Sequence, residues 1–128
     1  MAYTMDRTIS GVSLGEAEDR ARRALAGQGF GVLTEIDVLV TPKQKRDVAI
    51  PGYRILGACN PGKAHRAIGL VPRVGAMLPC NVILREVGDA VEVSAIDPVA
   101  SVQAIGNPEL SVVAGQVRDL LAKAVTEI

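Results

Sequence analysis

The chain has no tryptophan, two tyrosines and one phenylalanine in 128 residues, with a single histidine and two cysteines. Without more aromatic side chains it lacks the platforms on which single-stranded nucleic acids stack. Its 14 basic residues are matched by 14 acidic ones. A net charge of zero supplies no field to draw in nucleic acid or an anionic membrane. No run approaches the roughly 20 apolar residues that span a bilayer. The opening MAYTMDRTIS carries no apolar targeting segment. These absences lead us to expect a cytoplasmic chain that partners neither nucleic acid nor membrane. In that compartment two cysteines are ordinarily free thiols rather than a structural disulfide.

What is present is apolar and aliphatic. Hydrophobic residues make up 48% of the chain, enough for a core in one domain over residues 1–128. Tyr3–Ile9 alternates and reads as a strand. Ser13 with Glu16 forms a capping box ahead of a helix whose stripe is Leu14, Ala17, Ala21, Ala24 and Leu25. Gly27 and Gly29 close it. Phe30–Val40 and Arg54–Cys59 read as strands, and KQKRDV, after Thr41-Pro42, reads as a short basic helix between them. A helix starting at Asn60-Pro61 closes near Gly69, and strands Leu78–Val87 and Ala90–Ile96 join through a Gly88-Asp89 hairpin. Asp97-Pro98 opens a helical turn. The last helix begins at Asn107-Pro108, with the stripe Leu110, Val113, Val117, Leu120, Leu121, Ala124 and Ile128. Gly115 within it implies a close neighbour. The order predicts an α+β fold, a mostly antiparallel sheet with two long helices on one face. Leu56, Ile83 and Ile96 are expected on the bare face, as a dimer interface or a ligand floor.

Thr41-Pro42, Asn60-Pro61, Asp97-Pro98 and Asn107-Pro108 share one design. The first residue caps orphan N–H groups through its side-chain oxygen, and proline has no N–H to orphan. That explains Asn60 and Pro61 in the stretch ACNPGKAH (58–65), but not Cys59, Lys63 or His65. A thiol ahead of a positive helix end, with Lys63 following, suits an anion site or an activated thiolate, while free cysteine more often packs as a small buried hydrophobe. Cys59, His65 and Cys80 are three soft ligand types, but no C-x-x-C pair and no fourth ligand is evident beyond Glu35 or Asp97. Cys80, Val82 and Leu84 share a face by period two, which places Cys80 toward the core and Asn81 on the open side. Glu35 and Asp37 interrupt an apolar strand and need partners or water; a solvated sheet face satisfies them, and otherwise Arg54 and Arg85 are the strand-borne candidates.

The segments GFGVLTEIDV (29–38), YRILGACNP with AH after it (53–65), LPCNV (78–82), AIDPV (95–99) and GNPEL (106–110) resemble domain-of-unknown-function family 302. The resemblance spans about residues 3–126. It falls on Glu35, Asp37, Gly57, Cys59, Asn60, Pro61, His65, Pro79, Cys80, Asn81, Asp97, Pro98, Asn107 and Pro108. It implies a curved antiparallel sheet with helices on one side, in a TATA-binding-protein-like arrangement, and a homodimer. It implies no activity. The polar stretch KQKRDVAIPGY (43–53) departs from the pattern and shortens the expected helix there.

No catalytic set is recognisable, and no cofactor is assigned. The leading expectation is a small-ligand or anion-binding module acting as a homodimer. Its candidate residues are Glu35, Asp37, Cys59, Asn60, Lys63, His65, Cys80, Asn81 and Asp97. The alternatives are a thiol-based redox or metal-binding protein using Cys59, His65 and Cys80, and a protein–protein assembly component.

Overall fold

Five segments of alternating polarity pair into one antiparallel sheet in the computed structural model, which describes residues 2–39 and 51–128. They are β1 (Thr4–Ser10), β2 (Gly31–Asp37), β3 (Tyr53–Cys59), β4 (Cys80–Val87) and β5 (Ala90–Ile96), in spatial order β1-β5-β4-β3-β2. Four helices accompany them: α1 (Leu14–Gly27), α2 (Pro61–Leu70), α3 (Pro98–Val102) and α4 (Pro108–Thr126). The α+β architecture expected from the sequence is the one observed. The expected helix over KQKRDV and its Thr41-Pro42 cap lie outside the described residues.

Register fixes which side chains meet the helices. Leu56 stands opposite Val82, Ala58 opposite Cys80, Val82 opposite Ala95 and Leu84 opposite Val93. All of these are buried, and together with Ala17, Ala21 and Leu25 of α1 and Leu121 and Ala124 of α4 they form the main core. Both long helices therefore cover the same face of the sheet. Leu56 was expected on the bare face, and the structure corrects this. Period two puts Leu56 in phase with Arg54 and Ala58, and Arg54 reaches Glu18 on α1. Ile83 and Ile96 do line the open face, with Tyr3, Tyr53, Arg85 and Glu92 around them.

The ends of the helices are set by local chemistry. The side chains of Ser13, Asn60, Asp97 and Asn107 accept from the backbone N–H groups of Glu16, Lys63, Val99 and Leu110, respectively. Gly88, at φ 61°, turns the β4–β5 hairpin with Val87 facing Ala90. At the far end of α4, Arg7 on β1 donates to the carbonyls of Val125 and Thr126, a cation placed on the negative end of a helix. Between α2 and β4 the chain forms a 3-10 helix, Pro72–Met77, which no helical stripe announces in the sequence.

A second apolar cluster lies beside the first. It gathers Ala67 of α2, Val74 of the 3-10 helix, Val102 of α3, and Leu110, Val113 and Ala114 of α4. Helix α4 thus serves both clusters, the first half of its stripe in one and the second half in the other. Gly115 does not mark a close approach: a Cβ there would meet nothing within 4 Å. Gly57 is the opposite case, because a Cβ on it would collide with the side chains of Thr34 and Pro79.

Gly115→Ala is expected to stabilise the protein by about 0.5–1 kcal/mol, since alanine costs less helical entropy and finds open space. Gly57→Ala is expected to destabilise it by about 1–3 kcal/mol through overpacking. Urea unfolding of the two variants beside the parent measures both.

Candidate functional site

An apolar cavity of about 50 Å³ opens where the two clusters meet. Its walls come from both: Phe30, Ala58, Cys80 and Val117 from the main core, and Ala67, Val74, Val102, Leu110, Val113 and Ala114 from the second. Small residues explain the gap. Ala58, Ala64, Ala67 and Ala114 stand at the seam, and alanine cannot reach across a space that leucine would fill. Among the lining groups, Cys59, Asn60, Lys63 and Cys80 carry the chemistry.

Each of these four is held by its element. Cys59 ends β3 and Asn60 caps α2, so the strand-to-helix turn delivers both. Asn60 also abuts Gly29, whose φ of 82° closes the α1–β2 connection, and its Nδ2 lies 3.1 Å from where a Cβ on Gly29 would stand. Lys63 donates from Nζ to Oε1 of Gln116 at 2.8 Å, joining α2 to α4 beside the cavity. Cys80 begins β4 after the cis Leu78–Pro79 bond and is 9% exposed. Both cysteines are free thiols. Burial first, and then the neighbouring Cys59, push the Cys80 thiol up to about 11.

The cap changes the anion reading of this helix end. Pro61 has no N–H, and the N–H groups of Lys63 and Ala64 both go to Asn60, which leaves the Gly62 N–H for a ligand. One N–H is a poor anion cradle compared with the three or four of an open N-terminus. His65 is also displaced from the expected constellation. It is exposed on α2 and does not line the cavity, so the grouping of Cys59, Cys80 and His65 reduces to the two thiols. Among the described residues no group of three or more His, Cys, Asp and Glu side chains is placed to hold a metal ion.

The remaining sequence candidates lie elsewhere. Glu35 and Asp37 face the helix side, because they stand opposite Leu56 and Arg54 across β2–β3. There Arg54 pairs with Glu18 at 2.8 Å, Asp37 at 3.5 Å and Glu35 at 3.7 Å, and Arg22 bonds both Glu18 and Glu35. That network binds α1 to the β2 edge. Arg85, the second expected partner, is on the opposite face and pairs with Glu92 at 2.8 Å. Asp97 caps α3 and also accepts from Arg118 at 3.0 Å. Asn81 is exposed on the open face. The cavity walls from α3, α4 and the 3-10 helix were missed as site residues. Leu110 and Val113 were visible as a helical stripe, but nothing in the sequence says what that stripe faces.

An antiparallel five-stranded sheet backed on one face by two long helices, with an apolar cavity at the seam of two cores, defines an α+β protein. More particularly, the chain belongs to the domain of unknown function DUF302, whose family model matches residues 5–128. Its structure is similar to the crystal structure of an uncharacterized conserved DUF302 protein from Bacillus stearothermophilus. The TM-score is 0.89 at 23% identity, over 99% of this chain and 98% of that one, and the likeness shows a shared fold. No curated protein matches the chain. Among the described residues, no helix is long and apolar enough to cross a membrane.

The two thiols are expected to differ in reactivity. At pH 8, alkylation followed by mass spectrometry should label Cys59 well ahead of Cys80, whose labelling should rise only as pH climbs toward about 11. The same shift has a consequence for stability. An unfolded thiol loses its proton near 9.0, before the folded one, so folding stability should fall as pH rises from about 9 to about 11.

Proposed function

We propose that this protein is a small-ligand-binding module whose site is the cavity at the seam between the two cores. The supporting observation is the cavity itself, with apolar walls and its polar groups gathered on the β3–α2 turn and the start of β4. Ligand sites are typically apolar clefts with a few placed polar groups that fix orientation. The size limits the ligand. A buried water needs about 10–15 Å³ of such space, so about 50 Å³ admits only a few non-hydrogen atoms. A nucleotide does not fit. A short acyl chain with one anionic end does, its tail among Val74, Val102 and Val113 and its charge toward Lys63 and the Gly62 N–H.

Short-chain carboxylates from acetate to hexanoate should raise the melting temperature, with an optimum in chain length. Ala64→Leu, which fills the cavity from its rim, should abolish the rise while leaving the unliganded fold intact by circular dichroism. A panel without any stabilising compound, or a rise unchanged in Ala64→Leu, would count against the site.

The module is proposed to act as a homodimer through its open sheet face. In support, Ile83 and Ile96 form an apolar floor there, flanked by Tyr3 and Tyr53, with Arg85 and Glu92 offering charges of both signs to a second copy. Ile83→Asp should shift the parent from dimer to monomer in sedimentation equilibrium. A parent that sediments as a monomer at high concentration refutes the dimer.

A further inference from the structure

We infer that the open sheet face carries a site for a primary aliphatic amine, with the ammonium group held by Asp6, Ser94 and Glu92 and the alkyl chain laid over Ile83. Ser94 is the starting point. It is the one buried polar side chain among the described residues, 4% exposed, yet no helix covers it. Period two on β5 sends Val91, Val93 and Ala95 into the core, so Ser94 points the other way, into a hollow of about 610 Å³. Its hydroxyl bonds to no described residue. No fully enclosed side-chain oxygen lacks a partner, so the little surface this hydroxyl keeps opens onto the hollow. A nearly buried hydroxyl without a partner is unusual, and a ligand in the hollow supplies one.

Register surrounds Ser94 with acceptors on two sides. Asp6 is its partner across β1–β5, and Glu92 lies two residues along β5 on the same face. Asp6 enters no ion pair among the described residues. Glu92 gives one oxygen to Arg85 at 2.8 Å and keeps the other. An ammonium group has three donors and no acceptor. Asp6, the Ser94 hydroxyl and the second Glu92 oxygen match it donor for acceptor. Two carboxylates against the single guanidinium of Arg85 leave the hollow with one negative charge, which favours a cation. Hard metal ions take about six or more oxygens, and no group of three His, Cys, Asp or Glu among the described residues is placed to hold one.

The other two sides of Ser94 are apolar. Ile96 lies two residues along β5, and Ile83 is its partner on β4. Ile55 on β3 and Ile36 on β2 continue the row. At about 4.8 Å per strand, Ile83 to Ile36 is a track of roughly 10 Å for an alkyl chain. The volume falls within the ~300–1,000 Å³ usual for small-ligand sites. The site is separate from the seam cavity, and a second copy seated on this face covers it without contributing to it.

The test titrates the full chain with hexylamine hydrochloride by calorimetry at neutral pH. One amine per chain is expected. Asp6→Asn should weaken binding by about 10-fold or more, and Ser94→Ala by about 2–10-fold. Hexyltrimethylammonium keeps the charge and the chain but has no N–H, and should bind about 10-fold more weakly or worse. Asp119→Asn, exposed on α4, and Ala64→Leu, in the seam cavity, should bind as the parent does. A parent that takes no hexylamine overturns the site, as does binding unchanged in Asp6→Asn or equal for the quaternary ion. Asp6→Asn and the quaternary ion decide the matter if Ser94→Ala fails to fold. Sedimentation of the same samples separates this site from the dimer. A dimer that takes no amine overturns the amine site alone, and a monomer that takes it overturns the dimer alone.

Discussion

Helix α4 is the constraint on which the other elements depend. Its apolar stripe is continuous, but what it faces changes midway. Leu110, Val113 and Ala114 pack with α2, α3 and the 3-10 helix, whereas Val117, Leu121, Ala124 and Val125 pack with α1 and the sheet. A regular helix presents one face every 3.6 residues, so two clusters served by one stripe must sit side by side. They meet near Val117 and Ala114, and the cavity opens there. The site is thus a by-product of joining two cores along one rod with small residues at the joint. Arg7 holds the far end of that rod to β1, and Lys63 holds its near half to α2.

Much of the fold was legible because local signals agreed with one another. Three of the four cap-proline junctions fall on described residues, and each does what its residue types imply, since capping is decided within one turn. The β4–β5 hairpin was equally local. Strand β1 gave a fainter signal because Arg7 occupies the apolar face between Met5 and Ile9, where it reaches the α4 carbonyls. The 3-10 helix Pro72–Met77 gave none, since six residues without a helical period carry no stripe.

The site was less legible, for two separate reasons. Cavity walls are tertiary facts: Phe30, Val74 and Val102 are far apart in sequence and ordinary as core residues. The phase of a strand or helix, by contrast, was recoverable. Leu56 shares its face with Ala58, and two residues from Lys63 on a helix is about 200° around the axis, so His65 had to point away. Lys63 and Ala67, four apart, both turn inward, and His65 between them is exposed. Glu35 and Asp37 were expected to need partners or water, and counting by two from the core residues Phe30 and Val32 would have turned them to the open face; the register irregularity between Val32 and Thr34 brings them round to Arg54 instead.

The stretch ACNPGKAH also shows how a cap competes with a binding site for the same atoms. A helix N-terminus attracts anions because its first N–H groups lack partners. Here proline removes one, and the Asn60 side chain takes another. The better the turn is capped, the less it can offer a ligand. What the cap leaves unspent is side-chain chemistry on the residues around it: the thiol of Cys59 before it, the ammonium of Lys63 after it, and the buried thiol of Cys80 on the next strand. Stability of the junction and capacity for an anion are therefore opposed at this position.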